Sequence, residues 1–159
     1  MKRWLLVCAI LVAALTLAGC ASSAKDNGEI KQGGSLLIPA GELTDTARFF
    51  SAIVDGTAME IMAVRAADGS VRTAFNTCQV CNGSPFAYFV QKGDTVECQN
   101  CGNAFPMDRV GVTAGGCNPV PITSEYRAET DGGVSIPYET LASAKPLFKV
   151  WKNVKLNKR

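Results

Sequence analysis

The sequence predicts a mostly β domain with minor α content, and three observations lead to this prediction. Short apolar runs are separated by Asp-Gly and Gly-Asp dipeptides, which favour tight turns between antiparallel strands. No helical periodicity exceeds about two turns, apart from weak signals at 46–50 and 139–149. The chain has 159 residues, 47% of them hydrophobic, which suits one domain with a single core.

The predicted strands follow one another along the chain with turn residues between them. Asp55-Gly56 supplies the positive φ angles of a tight hairpin, although the apolar runs on either side leave a loop slightly longer than two residues. Asp68-Gly69 repeats this signal, and Lys92-Gly93-Asp94 separates a further pair. Apolar and polar residues alternate only partly over 59–65, as in a strand covered on both faces. The strands predicted for this small hairpin or meander domain are 35–39, 49–54, 59–65, 71–76, 86–91 and 95–98.

Composition and charge exclude several classes of function. The chain contains no histidine, which rules out His-dependent catalytic triads and His-ligated metal sites. The net charge is +2, but residues 20–144 hold 8 Lys and Arg against 14 Asp and Glu, a balance of −6. An acidic body lacks the basic face that phosphate contacts need, so no nucleic-acid partner is expected.

The N-terminal segment predicts a lipoprotein signal peptide over residues 1–19. A positively charged start precedes an apolar stretch, 4–18, which is shorter than the roughly 20 residues of a membrane span. The stretch ends in Leu17-Ala18-Gly19-Cys20, which resembles the lipobox of bacterial lipoproteins. Cys20 is therefore the predicted lipidation site, and the protein is expected on the extracytoplasmic side of the cell membrane, held by a lipid anchor. A plain secretory signal is the alternative.

Two further segments are predicted to flank the folded domain. Residues 20–34 are rich in Ser, Ala, Gly, Lys and Asp without an apolar period, which indicates a flexible tether. The cysteine-rich domain then covers 35–150. The basic tail, 145–159, interleaves aromatic and cationic residues, a pattern that suits contact with anionic lipid headgroups or, alternatively, a frayed terminus.

Five cysteines follow the predicted tether, and their spacing indicates a metal site. Cys78/Cys81 and Cys98/Cys101 form two Cys-x2-Cys pairs separated by sixteen residues. A two-residue gap turns both sulfurs toward one point, and the hairpin predicted within 86–98 would bring the pairs together. The pattern is a rubredoxin- or zinc-ribbon-like double knuckle. Cys117, which follows Gly115-Gly116, is either another ligand or a reactive thiol beside the site.

The sequence leaves the chemistry of these thiols open. Thiolates suit zinc, iron, an iron–sulfur cluster or Cu(I), and Met107 could add a soft donor, although a single Met is usually core. Structural disulfides persist outside the cytoplasm, but a bond within Cys-x2-Cys closes a very small loop and stabilises little. A redox-active dithiol resolved by Cys117 and a purely structural zinc knuckle are further alternatives. Asp108-Arg109 is a charge pair near the site or a surface salt bridge.

Three cysteine-containing blocks carry a resemblance to a known family. They are Cys78-Gln79-Val80-Cys81, Cys98-Gln99-Asn100-Cys101-Gly102 and Gly115-Gly116-Cys117-Asn118-Pro119. Together with flanking residues over about 35–125, they resemble the FtrD-like, membrane iron–sulfur-containing protein family. The resemblance implies an iron–sulfur or related metal centre formed by the cysteine set Cys78, Cys81, Cys98, Cys101 and Cys117.

The same resemblance implies a role in membrane iron uptake. Relatives are associated with uptake systems built around an iron permease, so the expected function is a metal or electron carrier rather than a catalyst. Many relatives carry this domain behind several membrane helices, whereas a lipid anchor is predicted here.

Overall fold

The computed structural model describes residues 25–153, with side chains placed from residue 28 onward. The predicted signal peptide, Cys20 and the last six residues of the basic tail lie outside the described residues. The described part is mostly β, which confirms the predicted fold class. Its elements are β1 Lys25–Glu29, β2 Ser35–Pro39, β3 Arg48–Val54, β4 Thr57–Arg65, β5 Val71–Cys78, β6 Phe89–Lys92, β7 Thr95–Cys98, β8 Ala104–Pro106, β9 Pro119–Ile122, β10 Ala128–Thr130, β11 Gly133–Pro137 and helix α1 Tyr138–Ser143, with 3₁₀ turns at Ala40–Glu42, Met107–Arg109, Ser124–Tyr126, Lys145–Phe148 and Trp151–Asn153.

The strands form three sheets. The main sheet has five strands in the order β1-β3-β4-β5-β9, and the rear sheet has the order β10-β11-β2. The knuckle sheet, named for the cysteine pair at its end, has the order β6-β7-β8. Neighbouring strands are antiparallel except β1, which runs parallel to β3.

Both faces of the main sheet are buried, as the incomplete alternation in β4 predicts. Met59, Ile61 and Ala63 belong to one core cluster, which also contains residues of the rear sheet and α1. Met62 and Val64 point the other way, into a second cluster shared with the knuckle sheet. Since successive residues of a strand face opposite sides, this arrangement places the main sheet between two apolar layers.

The turn between β3 and β4 is a two-residue hairpin loop, shorter than the sequence suggests. Val54 pairs with Thr57, so only Asp55 and Gly56 are unpaired. Their φ angles are 46° and 71°, both positive, as a type I′ turn requires. The Asp55 carboxylate accepts hydrogen bonds from Lys145 at 2.9 Å and from the Tyr138 hydroxyl at 2.8 Å. The hairpin is thereby tied to the C-terminal part of the domain.

The Asp55 contacts predict a component of acid sensitivity. Hydrogen bonds from Lys145 and then Tyr138 hold the pKa of Asp55 below its usual 3.8. Because the pKa is lower in the folded state, the stabilisation is present above about pH 4 and is lost as pH falls through the folded pKa. We expect the thermal midpoint of Asp55→Asn to fall less than that of the unaltered protein between about pH 5 and about pH 3, measured by circular dichroism. Asparagine tolerates positive φ, so equal falls would contradict the assignment.

The folded domain begins earlier than the sequence predicts. The segment expected to be a flexible tether contains β1, which pairs with β3 through residues such as Asp26 and Ser51. The N–H of Ile30 donates to the carbonyl of Ile53 at 2.8 Å, and Ile30 is buried. Strand pairing uses main-chain groups, so β1 needs no apolar period and leaves little trace in the sequence.

The expectation for the basic tail is wrong over 145–153. Phe148 and Trp151 are 4% and 6% exposed, and their rings meet edge to face at 5.4 Å. The indole N–H of Trp151 donates to the main-chain oxygen of Asn76 at 2.8 Å. These aromatic side chains complete the first core cluster and are unavailable to lipid headgroups.

The two weak helical signals have different outcomes. The signal at 46–50 is wrong, because Arg48–Val54 forms β3 between two paired strands. The signal at 139–149 is realised as α1 followed by the 3₁₀ turn Lys145–Phe148, with Pro146 near the break. None of the helices in residues 25–153 combines the length and apolar character that a bilayer crossing requires.

Candidate metal centre

The two cysteine pairs come from different sheets. Cys78 is the last residue of β5 in the main sheet, and Cys98 is the last residue of β7 in the knuckle sheet. The sequence predicts instead that both pairs lie at the ends of one hairpin. The β6–β7 hairpin exists, but it carries only the second pair. The site therefore lies where the two sheets meet.

Each Cys-x2-Cys pair forms the same local structure. The sulfur of the first cysteine, Cys78 or Cys98, accepts hydrogen bonds from the main-chain N–H groups two and three residues further on. Such donors favour a thiolate over a thiol. The chain then turns through a glycine with positive φ, Gly83 at 99° in one case and Gly102 at 71° in the other. The predicted double knuckle is thus present, and its glycines occupy conformations that favour glycine.

The five cysteine sulfurs lie together. The sulfurs of Cys78, Cys81 and Cys117 are within 4.8 Å of one another, and so are those of Cys81, Cys98 and Cys101. Because Cys81 belongs to both groups, the two groups form one cluster. All five are free thiols, so none is committed to a disulfide. Every cysteine of the predicted site is therefore brought to the same place.

The loop that carries Cys117 is attached to both knuckles. The N–H of Gly115 donates to the side-chain oxygen of Gln79, inside the first pair, at 2.6 Å. The side-chain amide of Asn103, just after the second pair, donates to the carbonyl of Cys117 at 3.0 Å. Gly115 and Gly116 both have φ of 84°, a backbone conformation that favours glycine.

The thiols differ in exposure and in acidity. Burial raises the pKa of Cys98 to about 12 and also raises that of Cys78; both residues are 0% exposed. The N–H of Asn103 is the main cause of a lowered pKa at Cys101, which is exposed. A hydrogen bond with Cys101 raises the pKa of Cys117. A cation entering this cluster must displace protons from the buried thiols, so binding becomes tighter as pH rises.

The segments that form the site contain no charged side chains. Residues 73–91, 98–107 and 110–124 include no Asp, Glu, Lys or Arg. Within these segments, main-chain N–H groups are the principal partners for negative sulfur. A bound cation would supply the compensating charge.

Two side-chain roles differ from what a motif search suggests. Met107 is buried in the second core cluster, so it serves as core. Asp108 and Arg109 do not pair with each other; Arg109 donates to the Thr113 hydroxyl at 3.3 Å. The neutral amide side chains of Asn76, Gln79 and Asn103 match no sequence motif. The one feature of the sequence that points to them is their position close to a cysteine.

The chain matches a described protein family and is similar to a solved structure. Residues 43–148 match the family described as "Membrane iron-sulfur containing protein FtrD-like", and all five clustered cysteines lie within the match. No curated protein matches. Among solved structures, the chain is similar to the quaternary ammonium Rieske monooxygenase CntA in complex with an inhibitor, at 17% identity and a TM-score of 0.41.

That alignment covers 65% of this chain and 31% of the other, so the chain spans about a third of the length of that enzyme. The family match includes more than half of the chain and the whole cysteine cluster. The chain therefore belongs to the FtrD-like family of membrane iron–sulfur-containing proteins.

Proposed function

We propose that this protein is a thiolate metal carrier, binding iron or an iron–sulfur cluster and passing electrons or metal to a membrane iron-uptake system. The observation that carries this proposal is the gathering of five free thiols into one cluster. Three of these sulfurs, those of Cys78, Cys98 and Cys101, already accept main-chain hydrogen bonds. The family description, iron–sulfur-containing and membrane, supports the same function.

The donor set fits a soft metal or iron. Around one tetrahedral ion with metal–sulfur bonds of about 2.3 Å, the sulfurs lie about 3.8 Å apart, and the grouped sulfurs here are within 4.8 Å. The two knuckles offer Cys78, Cys81, Cys98 and Cys101, and Cys117 lies beside both as a fifth donor. Bound iron would supply one-electron chemistry, with a potential set by hydrogen bonds to the sulfurs and by solvent exposure.

Membrane attachment through Cys20, on the extracytoplasmic side, completes the proposal. The lipobox-like sequence and the membrane description of the family support it. Because β1 begins at Lys25, only a few residues separate it from Cys20. Even fully extended, this connection spans only about 17 Å, which would hold the domain close to the bilayer. An iron permease is the proposed partner.

Metal analysis of the full-length protein, purified anaerobically from its native membrane, tests this function. We expect iron together with a visible absorption that changes on reduction. Zinc alone, without visible absorption, would contradict electron transfer. The variant Cys20→Ser is the matched control, since it should keep the metal but leave the membrane fraction.

One observation favours a second candidate, a thiol–disulfide oxidoreductase. Cys101 is exposed and its pKa is lowered, as in reactive thiols, and Cys117 lies beside it to resolve a disulfide. Alkylation of the same purified protein distinguishes the two functions. Thiols that react without loss of metal, and that oxidise reversibly, would favour the oxidoreductase. Thiols that resist until a chelator is added would favour the metal carrier.

A further inference from the structure

The side chain of Asn76 joins the two sheets that carry the cysteine pairs. Asn76 lies in β5, two residues before Cys78, and is 1% exposed. Its side-chain oxygen accepts the N–H of Phe89 at 2.7 Å, and its amide nitrogen donates to the carbonyl of Phe89 at 3.2 Å. Since β5 and β6 are not paired in any sheet, this one side chain makes the two hydrogen bonds that a neighbouring strand would make.

The residue that Asn76 holds lies directly opposite the second knuckle. Phe89 is the partner of Cys98 in the β6–β7 ladder. Because the N–H of Gln99 donates to the carbonyl of Tyr88 at 2.8 Å, the Phe89/Cys98 pair is of the non-hydrogen-bonded kind. Both main-chain groups of Phe89 therefore face away from β7 and are free to meet Asn76. A short chain of contacts thus links the buried cysteine of one pair to that of the other.

The ion pair between the buried Glu60 carboxylate and the exposed Lys152 supports the orientation of the Asn76 amide. The amide nitrogen also donates to the Glu60 carboxylate at 2.7 Å, and Glu60 is 7% exposed. A carboxylate only accepts hydrogen bonds, so the nitrogen must face Glu60 and the oxygen must face Phe89. Lys152 supplies the countercharge, with its Nζ 3.0 Å from Glu60 and 4.4 Å from the Trp151 ring centroid.

A buried carboxylate in this position calls for an explanation beyond stability. Burying a carboxylate costs desolvation that its partners repay only with good geometry, and apolar residues often serve the core as well. Glu60 interrupts the apolar face of β4 on the side of the knuckle sheet, two residues before Met62. What it provides, and an apolar residue would not, is a further acceptor that holds the Asn76 amide in the orientation that its bonds to Phe89 also require.

We propose that Asn76, oriented by Glu60, is a positioning residue of the metal centre. It sets the separation of the two buried cysteines, Cys78 and Cys98, and through that separation the affinity and coordination geometry of the bound ion. The inference rests on the proposed metal-binding function. Groups that orient metal ligands from outside the coordination sphere typically change affinity by about 10–100-fold when altered.

The test compares Asn76→Asp with the unaltered full chain, using Co²⁺ as the probe. An aspartate cannot donate to Phe89 or Glu60, and its charge opposes that of Glu60. We expect the Kd for Co²⁺ to rise by about 10–100-fold, with weaker ligand-field bands from tetrahedral cobalt–thiolate coordination. Unchanged Kd and bands in a folded Asn76→Asp protein would overturn the proposal.

Thr73→Val is the matched control. Thr73 lies in the same strand, is 0% exposed, and donates its hydroxyl to Ile122 at 2.9 Å within the main sheet. Removing this bond should lower the thermal midpoint while leaving the Kd for Co²⁺ within about twofold, because it does not join the two sheets. A cobalt spectrum disturbed as much by Thr73→Val as by Asn76→Asp would overturn the specific role of Asn76.

A rescue variant separates positioning from stability. In the double variant Asn76→Asp with Glu60→Gln, the glutamine amide can donate to the aspartate, which restores the bond with its polarity reversed. We expect the double variant to recover at least part of the cobalt affinity; no recovery would count against the proposal. If Asn76→Asp does not fold, Glu60→Met, which removes the acceptor at a similar side-chain length, should still weaken cobalt binding measurably, and unchanged binding would overturn the inference.

A metal-free measurement keeps this inference distinct from the proposed function. In the apo protein, hydrogen exchange of the Phe89 N–H should be at least about tenfold faster in Asn76→Ala than in the unaltered chain. Failure of the unaltered chain to bind cobalt or iron would overturn the proposed function. An unchanged exchange rate would instead overturn the link between Asn76 and the knuckle sheet.

Discussion

Replacing Cys98 by serine is expected to weaken metal binding by about a hundredfold or more. The sulfur of Cys98 is fully buried and accepts two main-chain hydrogen bonds, so it is among the best prepared donors of the cluster. Structural thiolate sites bind zinc with about 10–16 kcal/mol in total, and losing one of four ligands removes roughly a quarter of that. Titration with Co²⁺ in competition with a chelator measures the loss.

Cys117→Ser provides the comparison for this result. Cys117 is the fifth donor, and its main hydrogen-bond partner is the neighbouring Cys101 thiol rather than a main-chain N–H. We expect a loss below about tenfold for this variant. Equal losses in the two variants would contradict the distinction between the knuckle cysteines and Cys117. No loss in Cys98→Ser would contradict the metal centre itself.

Gly133→Ala is expected to cost about 3 kcal/mol or more of folding stability. Gly133 begins β11 with φ of 152° and pairs with Pro39 in the rear sheet. A Cβ at this position would collide with the carbonyl oxygen of Ile38 and lie 2.7 Å from the nitrogen of Ala40. Both obstacles are backbone atoms, so relief requires moving β2 away from β11. Urea unfolding followed by circular dichroism measures the change.

The adjacent glycine is the control for this prediction. A Cβ at Gly132 would meet nothing within 4 Å, and its φ lies outside the range that excludes side chains. Gly132→Ala should change the free energy of unfolding by no more than about 0.5 kcal/mol. Similar losses of stability in the two variants would show that β2 and β11 can move apart at little cost, which would contradict the close contact described for Gly133.

The strands that the sequence predicts well are those with a chemical signal at their ends. β3 and β4 follow from Asp55-Gly56, whose residues prefer positive φ, and β7 ends at a cysteine pair. The strand β1 lacks such a signal, because its pairing depends on main-chain groups and on a partner distant in the sequence. The C-terminal segment is misread for a related reason, since Trp151 is amphipathic and only tertiary packing decides where it lies.

The membership of the candidate site is largely visible in the sequence, but its construction is not. The spacing of the two Cys-x2-Cys pairs predicts their local geometry, because each knuckle is formed within a few residues. The sheet on which each pair lies depends on long-range pairing, and so does the role of Asn76, whose partner Phe89 is 13 residues away. Nothing in the sequence around a neutral amide indicates which distant residue it will bind.

The graded exposure of the cysteines gives the cluster an inside and an outside. Cys78 and Cys98 are fully buried, Cys81 and Cys117 are half-buried, and Cys101 is exposed. An incoming ion therefore meets Cys101 first and reaches the inner sulfurs only by displacing their protons. Departure would follow the reverse order, with the inner pair releasing first and Cys101 last. A chelator, an acceptor protein or an oxidant would likewise reach Cys101 before the buried sulfurs, so we expect Cys101 to govern the kinetics of exchange and the buried sulfurs to govern the equilibrium.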